Sequence, residues 1–395
     1  MSHVNLLGID TAKNSFVLYG IDKNGKQALK KQLSRDRFAS FMQQLPPCTV
    51  VMEACGGSHH WGRTLRGFGH EVKLIAPQKA AAFRKINKND ANDAVAIVRS
   101  AMCHGIEFVE VKELWQQDIQ SLHRIRARHT KNQTSVVNEM RGLLAEYGIA
   151  IAEGIYHVRT TVPAILQDHD NQLTPMIRGA VADLHHELLN ITESLNRLDK
   201  QLEDIARTND ACQRLNAIPG IGVISATAVI AACTDPSLFK NGRQFAAWLG
   251  LTPGHRQTGG KDSKPIMLGI TKKGDPYIRS LLVQGGMSLV ASVARRAKKP
   301  QLEEKVAVES SPEPIIKRSG GIAPHKRRYD PKVKLWGKKA LSESREAWIK
   351  RLLDEKGYQK AAVACANRNA RIIWALLKNG ATFNGTITQD DRKLA

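Results

Sequence analysis

Val4-Asn5-Leu6-Leu7-Gly8-Ile9-Asp10 is a short apolar run that ends on an acid, and its reading decides the fold of the first hundred residues. It has the length of a strand, too short for a stable helix, and Asp10 closes it. Residues 14–21 alternate apolar and polar, Asp22-Lys23-Asn24-Gly25 is a turn signal, and residues 27–32 form the returning strand. Residues 34–45 carry helical spacing. Thr49-Val50-Val51-Met52-Glu53 is a second buried strand ending on an acid, and residues 71–76 are a third, stopped by Pro77. Residues 78–85 and 90–104 read as helices. The order strand, hairpin, helix, strand, helix, strand, helix predicts a mixed-sheet α/β domain over 1–108.

Beyond it the pattern turns helical. Residues 113–147 read as one long basic helix, with Arg124, Arg126, Arg128, Lys131 and Arg141 along it and Gly148 as its stop. Residues 176–207 place Val181, Leu184, Leu188, Ile191, Leu195, Leu198, Leu202 and Ile205 at steps of three and four. This heptad seam predicts a coiled coil or helical hairpin, pairing either within the chain or between chains. Residues 109–210 are thus expected to be a helical coiled-coil region, followed by a mainly α domain over 211–395. In that domain Ile218-Pro219-Gly220-Ile221-Gly222 lies between two helical patterns. It matches a helix-hairpin-helix turn, whose backbone amides can meet a phosphate, and also an ordinary helix–helix turn. Residues 243–249 read as a helix, 252–273 as a Gly-rich loop and 275–290 as a further helix. Residues 291–340 hold 14 Lys and Arg against 5 Asp and Glu, with prolines at 300, 312, 314, 324 and 331. They read as a basic insertion in which the prolines break any helix. Helical spacing resumes at about residue 342, and residues 371–377 close it.

Charge narrows the partners. The 395 residues, enough for two or three domains, carry 59 Lys and Arg against 37 Asp and Glu, a net charge of +22. That surplus calls for a polyanion. Nucleic acid fits better than a membrane, because no basic amphipathic anchor or lipidation motif appears. Charge does not separate an enzyme from an architectural protein. No stretch approaches the roughly 20 apolar residues of a membrane span. The first residues lack a basic start and a long apolar run, so no leader is expected. Six cysteines, Cys48, Cys55, Cys103, Cys212, Cys233 and Cys365, are scattered with no Cys-x-x-Cys pair. The expectation is reduced thiols in a cytoplasmic protein, without a zinc knuckle or a disulfide framework.

Four acids form the candidate catalytic and metal-binding set. Asp10 and Glu53 each end a strand, while Asp90 and Asp93 open a helix three residues apart and so share one helical face. Strand ends and a helix start can converge on one point. Carboxylate oxygens of this kind suit Mg²⁺ or Mn²⁺. Two such ions roughly 3.5–4 Å apart serve phosphodiester cleavage. Each acid also has a local explanation: Asp90 and Asp93 as helix-capping acids, Asp10 as a turn cap. Together they point to a metal-dependent nuclease-like site.

Three blocks carry a resemblance: Leu7-Gly8-Ile9-Asp10 with Lys13-Asn14-Ser15-Phe16; Met52-Glu53-Ala54-Cys55-Gly56-Gly57-Ser58-His59; and Asn87-Lys88-Asn89-Asp90-Ala91-Asn92-Asp93-Ala94. Together they resemble the DEDD-type transposases of bacterial insertion sequences, the group that includes the pilin-gene DNA invertases. The segments Ile218–Gly222, Arg243-Gln244-Phe245-Ala246-Ala247-Trp248-Leu249-Gly250-Leu251-Thr252-Pro253 and Leu268-Gly269-Ile270-Thr271-Lys272-Lys273-Gly274-Asp275 resemble the C-terminal domain of the same family. The resemblance implies a ribonuclease H-like (resolvase-like) first domain with Asp10, Glu53, Asp90 and Asp93 as its metal site. It also implies DNA cleavage and strand transfer, a homo-oligomer on DNA, and guidance by a structured RNA from the element. The family carries a loop serine, just before a glycine, that attacks the DNA phosphate. Here the loop reads His255-Arg256-Gln257-Thr258-Gly259-Gly260-Lys261-Asp262-Ser263, so the hydroxyl candidates are Thr258 and, further along, Ser263. This departure keeps open a catalytically inactive nucleic-acid-binding relative. A junction-resolving nuclease that cuts without rejoining is the other alternative. His59 and His60 are expected on a surface loop, and Trp61 and Trp248 in the core.

Overall fold

A computed structural model of the chain describes residues 3–83, 90–256, 266–308 and 341–383, with residues 90, 91 and 298–308 described by backbone alone. Two compact units divide it, Met1–Asp118 and Ile119–Ala395.

The first unit is a mixed α/β domain. Strands β1 (Leu6–Thr11), β2 (Ser15–Ile21) and β3 (Gln27–Ser34) form an antiparallel meander. The Asp22 carboxylate turns the β2–β3 hairpin by accepting the amides of Asn24 and Lys26 at 2.8 and 2.9 Å. Helix α1 (Arg35–Gln44) leads to β4 (Thr49–Glu53), α2 (Ser58–Gly67) to β5 (Glu71–Ile75), and α3 (Pro77–Ala81) to α4 (Asp90–Met102). The sheet order is β3-β2-β1-β4-β5, with β1, β4 and β5 parallel.

The central strand β1 is covered on both faces, which is why its sequence reads as a continuous apolar run. Leu7 and Ile9 pack with Val50, Met52, Phe38 and Trp61 beneath α1 and α2. On the other face Leu6 packs with Val51, Ile75 and Ile97. Gly8 lets α4 lie directly on the strand, since a Cβ there would stand 2.6 Å from Val98 Cγ2 and 2.7 Å from the Ala94 carbonyl oxygen.

In the second unit, α5 (Leu114–Ala145), α6 (Ile155–Gln167) and α7 (Pro175–Thr208) share a core that includes Val136, Val137, Met140 and Leu144 of α5 and Leu188, Ile191 and Leu195 of α7. Arg126 meets Asp199 at 2.5 Å and Gln133 meets Thr192 at 2.9 Å, so α5 and α7 run antiparallel. The heptad seam therefore pairs within the chain. Helix α6, which contains Pro163, was not foreseen.

The remainder comprises α8 (Asp210–Asn216), α9 (Val223–Ala232), α10 (Gly242–Trp248), a ribbon of β6 (Pro253–Arg256) and β7 (Ile266–Ile270), and α11 (Pro276–Val308), α12 (Glu343–Lys356) and α13 (Tyr358–Asn379). The turn between α8 and α9 packs onto α11 backbone to backbone. A Cβ on Gly285 would stand 2.0 Å from the Gly220 carbonyl oxygen, and one on Gly286 would stand 2.2 Å from that of Ala362 on α13. The adjacent glycines thus admit two close neighbours to one stretch of α11.

Four expectations need correction. Residues 252–273, read as a loop, contain the β6–β7 ribbon; pairing across nine intervening residues is non-local and the glycines obscured it. The helix read to end at residue 290 runs to Val308, through Pro300. Proline at 300 removes one backbone donor, but good helix formers (Arg295, Arg296, Gln301, Leu302, Glu303) flank it on both sides. Residues 309–340, the rest of the basic insertion, lie outside the described residues. The helix read over 78–85 is the short α3, begun by a proline suited to its first turn. His59 and His60 lie on α2, whose Trp61 and Leu65 are buried one turn apart.

Candidate functional site

The C-terminal ends of β1 and β4 make one edge of the sheet. The strands pair from Leu6–Thr49 through Ile9–Met52, so Asp10 and Glu53 each lie one residue past the last pair, side by side. Strand alternation settles their face. Leu7, Ile9, Val50 and Met52 belong to the core under α1 and α2. Gly8 meets α4, and Val51 packs with Ile97 of α4. Asp10 and Glu53 continue the Gly8 and Val51 series and face the α4 side. Both are half-buried.

The edge is braced from below. Thr11 Oγ1 and Cys55 Sγ hydrogen-bond at 3.0 Å, tying the end of β1 to the segment after β4. The Ala54 amide donates to the Ile75 carbonyl at 2.8 Å, and the Ser58 hydroxyl donates to the Cys55 carbonyl at 2.8 Å.

Asp93 is 6% exposed on α4, next to Ala94, whose carbonyl touches Gly8, and one turn before Ile97. Asp90 opens the same helix, and its side chain lies outside the described residues. The structure therefore brings Asp10, Glu53 and Asp93 to one face of the sheet. Among the described residues no three His, Cys, Asp or Glu converge closely enough to hold an ion together. Carboxylate oxygens are hard donors, and their chemistry suits a divalent ion. Thr258 and Ser263 lie outside the described residues.

The histidines after Glu53 serve the scaffold. His59 Nδ1 accepts the Lys112 amide at 3.1 Å, and the His60 ring stands edge-on to Trp61. Trp61 is core, edge-on to Phe16 and Phe38 at 5.1 and 4.9 Å. Trp248 is 36% exposed and packs against Phe239 and Phe245.

In the second unit, Arg124, Arg128 and Lys131 are exposed on α5 at steps of four and three, which makes one basic stripe. The other two basic residues of the helix are engaged: Arg126 with Asp199, and Arg141 with the Ile151 carbonyl. In the Ile218–Gly222 turn, Ile218, Pro219 and Ile221 are buried and Gly222 is exposed at the start of α9. The Pro219 carbonyl accepts from Asn369 Nδ2 at 3.0 Å, and the buried Arg345 guanidinium donates to Asn369 Oδ1. Burial and the nearby Arg368 charge push the Arg345 pKa down to about 10.

One buried network escaped the sequence. His123 of α5 is 3% exposed, and burial, with the Arg126 charge, pushes its pKa down to about 4, so it is neutral at physiological pH. The Thr227 hydroxyl donates to the Val223 carbonyl at 2.8 Å. Its oxygen is then left to accept from His123 Nε2 at 3.0 Å, which makes His123 Nδ1 the acceptor for the Tyr277 hydroxyl, also at 3.0 Å. The Arg126 guanidinium stands near the Tyr277 hydroxyl and interacts with it electrostatically. The network links α5, α9 and α11. In the sequence His123 is a single histidine on an apolar stripe, with no sign of a partner 154 positions away.

A family model described as Transposase, of the DEDD type, matches residues 7–149, and one described as Transposase IS116/IS110/IS902 family matches residues 212–302. The chain is 35% identical over 383 residues to the transposase for insertion sequence element IS1111A of Coxiella burnetii, covering 97% of this chain and 92% of that one. It is 35% identical over 382 residues to a probable family 20 transposase of Pseudomonas aeruginosa, with 96% and 99% covered. To the transposase for insertion sequence element IS1328 of Yersinia enterocolitica it is 35% identical over 286 residues, with 72% and 83% covered.

Proposed function

The chain belongs to the DEDD-type insertion-sequence transposases, DNA-cleaving and recombining enzymes, and from that premise we propose that it cuts and rejoins DNA through the acids at the β1–β4 edge. One observation carries the reading: Asp10 and Glu53 stand at the C-terminal ends of adjacent parallel strands, on the face that α4, with Asp93, covers. A carboxylate at a strand end is held by the sheet behind it, so its position is set before DNA arrives. Asp90 and Asp93 add donors from the first turn of α4.

A DEDD-type domain implies a divalent-metal requirement, and Mg²⁺ (or Mn²⁺) suits an all-carboxylate set. A bound ion supplies charge that favours attack on the phosphodiester and departure of the leaving oxygen. Asp10, Glu53, Asp90 and Asp93 would hold it. Thr258 or Ser263 is the hydroxyl that attacks phosphorus, the displaced DNA oxygen leaves, and a second DNA oxygen later displaces the protein hydroxyl, completing strand transfer.

The first unit is ribonuclease H-like, the α5–α7 pair is a coiled coil, and the functional division is 1–108, 109–210 and 211–395. The enzyme works in the cytoplasm as a homo-oligomer, guided by a structured RNA. No helix among the described residues is long and apolar enough to cross a membrane. The basic stripe of α5 contacts nucleic acid.

The test is a strand-transfer assay on element-end DNA with the parent chain and Asp10→Asn. Loss of cleavage and joining with unchanged folding is the expected result, and transfer at the parent rate would overturn the reading.

A further inference from the structure

A groove of about 540 Å³ lies between α5 and α11 of the second unit. Its size suits a nucleotide or two of one strand and is too small for a duplex, roughly 300–1,000 Å³ being the range for small-molecule pockets. The α5 wall offers two cations, Arg126 and Lys131, and no residue lining the groove is acidic. Arg126 is oriented by its ion pair with Asp199 and stands beside Tyr277, whose hydroxyl is held by His123. Its guanidinium is set by a carboxylate partner before any ligand enters, which lowers the cost of binding.

The neutral residues divide by direction. Thr130 and Thr134 donate their hydroxyl protons to the carbonyls of Arg126 and Thr130, so each turns lone pairs outward. Those suit the exocyclic amines of bases. Ser135 and Asn138, exposed one turn further on, offer O–H and N–H to phosphate oxygen.

We propose that this groove binds a single DNA strand, with Arg126 and Lys131 on its phosphates and the threonine oxygens toward base edges. The inference rests on α5 contacting nucleic acid, and narrows it to one strand and one groove. DNA is the occupant because the chain is a DNA-cleaving enzyme and recombination exposes single strands.

The test titrates the full chain against a fluorescent deoxycytidine oligonucleotide over a range of salt concentrations. Lys131→Gln is expected to weaken binding by about fivefold to tenfold and to lower the salt slope by about 0.7, the share of one phosphate contact on a single strand. Ser135→Ala with Asn138→Ala should weaken binding with the slope unchanged. Lys356→Gln, on α12, should match the parent. All four side chains are exposed, so folding is not at risk. Parent-like affinity and slope in both groove variants would overturn the proposal. So would variants that weaken a cytidine ribo-oligonucleotide while leaving the deoxy probe unchanged, since the occupant would then be RNA. Cleavage tests the metal reading and this titration tests the groove, so either can fail alone.

Discussion

Asp10 and Glu53 stand side by side, one residue beyond the paired Ile9 and Met52, at the ends of adjacent parallel strands and on one face of the sheet. Replacing either carboxylate with its amide keeps the shape and removes the charge. Asp10→Asn and Glu53→Gln should each lower DNA cleavage by about three orders of magnitude, the equivalent of several kcal/mol of transition-state charge stabilisation. Circular dichroism and thermal midpoint should stay close to the parent. Cleavage within tenfold of the parent in both variants would remove these acids from the chemistry.

Gly8 sets how closely α4 approaches that edge. Gly8→Ala puts a methyl 2.6 Å from Val98 Cγ2 and 2.7 Å from the Ala94 carbonyl oxygen. Overpacking of this kind costs about 1–3 kcal/mol, to be read by urea denaturation. Adding Val98→Ala should recover part of the loss and not all, because the backbone contact remains. Cleavage should fall as well, since α4 carries Asp93. Full stability in Gly8→Ala would contradict the close contact.

His123 makes the second unit sensitive to acid. Its folded pKa is about 4, below the ordinary 6.5, because burial disfavours the charged ring. Between those values the unfolded chain binds the proton and the folded chain does not. Stability is therefore whole above pH 6.5 and lost as the pH falls toward 4, by on the order of 3 kcal/mol at about 1.4 kcal/mol per pKa unit. Urea midpoints at pH 7 and pH 4.5 should converge more closely in His123→Gln than in the parent. An identical pH dependence in the two proteins would show that His123 is not buried neutral.

Affinity for nucleic acid should fall steeply with salt, because each lysine or arginine contact releases condensed counterions. With on the order of 6–10 phosphate contacts, the loss between 50 and 200 mM salt is roughly 10³–10⁵. A nearly flat dependence would exclude the electrostatic role given to α5.

The attacking hydroxyl can be trapped. On a nicked suicide substrate, the expected product is a covalent protein–DNA adduct at Thr258, which directly precedes the glycine pair, or at Ser263, which is less hindered. Mass spectrometry identifies the linked residue. Rejoined DNA with no adduct, together with normal activity in the Thr258→Val, Ser263→Ala double variant, would show that the loop does no covalent chemistry.

The sequence by itself determined the strands of the first unit, most of the helices and the acids near the strand ends. Those are short-range properties: an apolar run closed by Asp10 or Glu53, a hairpin turned by Asp22, a heptad seam from Val181 to Leu202, and each could be read within a few turns of chain. Tertiary structure decided what depends on distant partners. Strand pairing put Asp10 beside Glu53, and the phase of β1 and β4 put both on the α4 face. The heptad seam could have closed on another chain, and the Arg126–Asp199 and Gln133–Thr192 contacts closed it on α5. The β6–β7 ribbon and the hydrogen-bonded chain from Tyr277 through His123 to Thr227 left no local trace. Their energy comes from groups that meet only after the chain has folded back, up to 154 positions apart for His123 and Tyr277. Periodicity records which face of an element is buried, and only the folded chain sets what is buried against it.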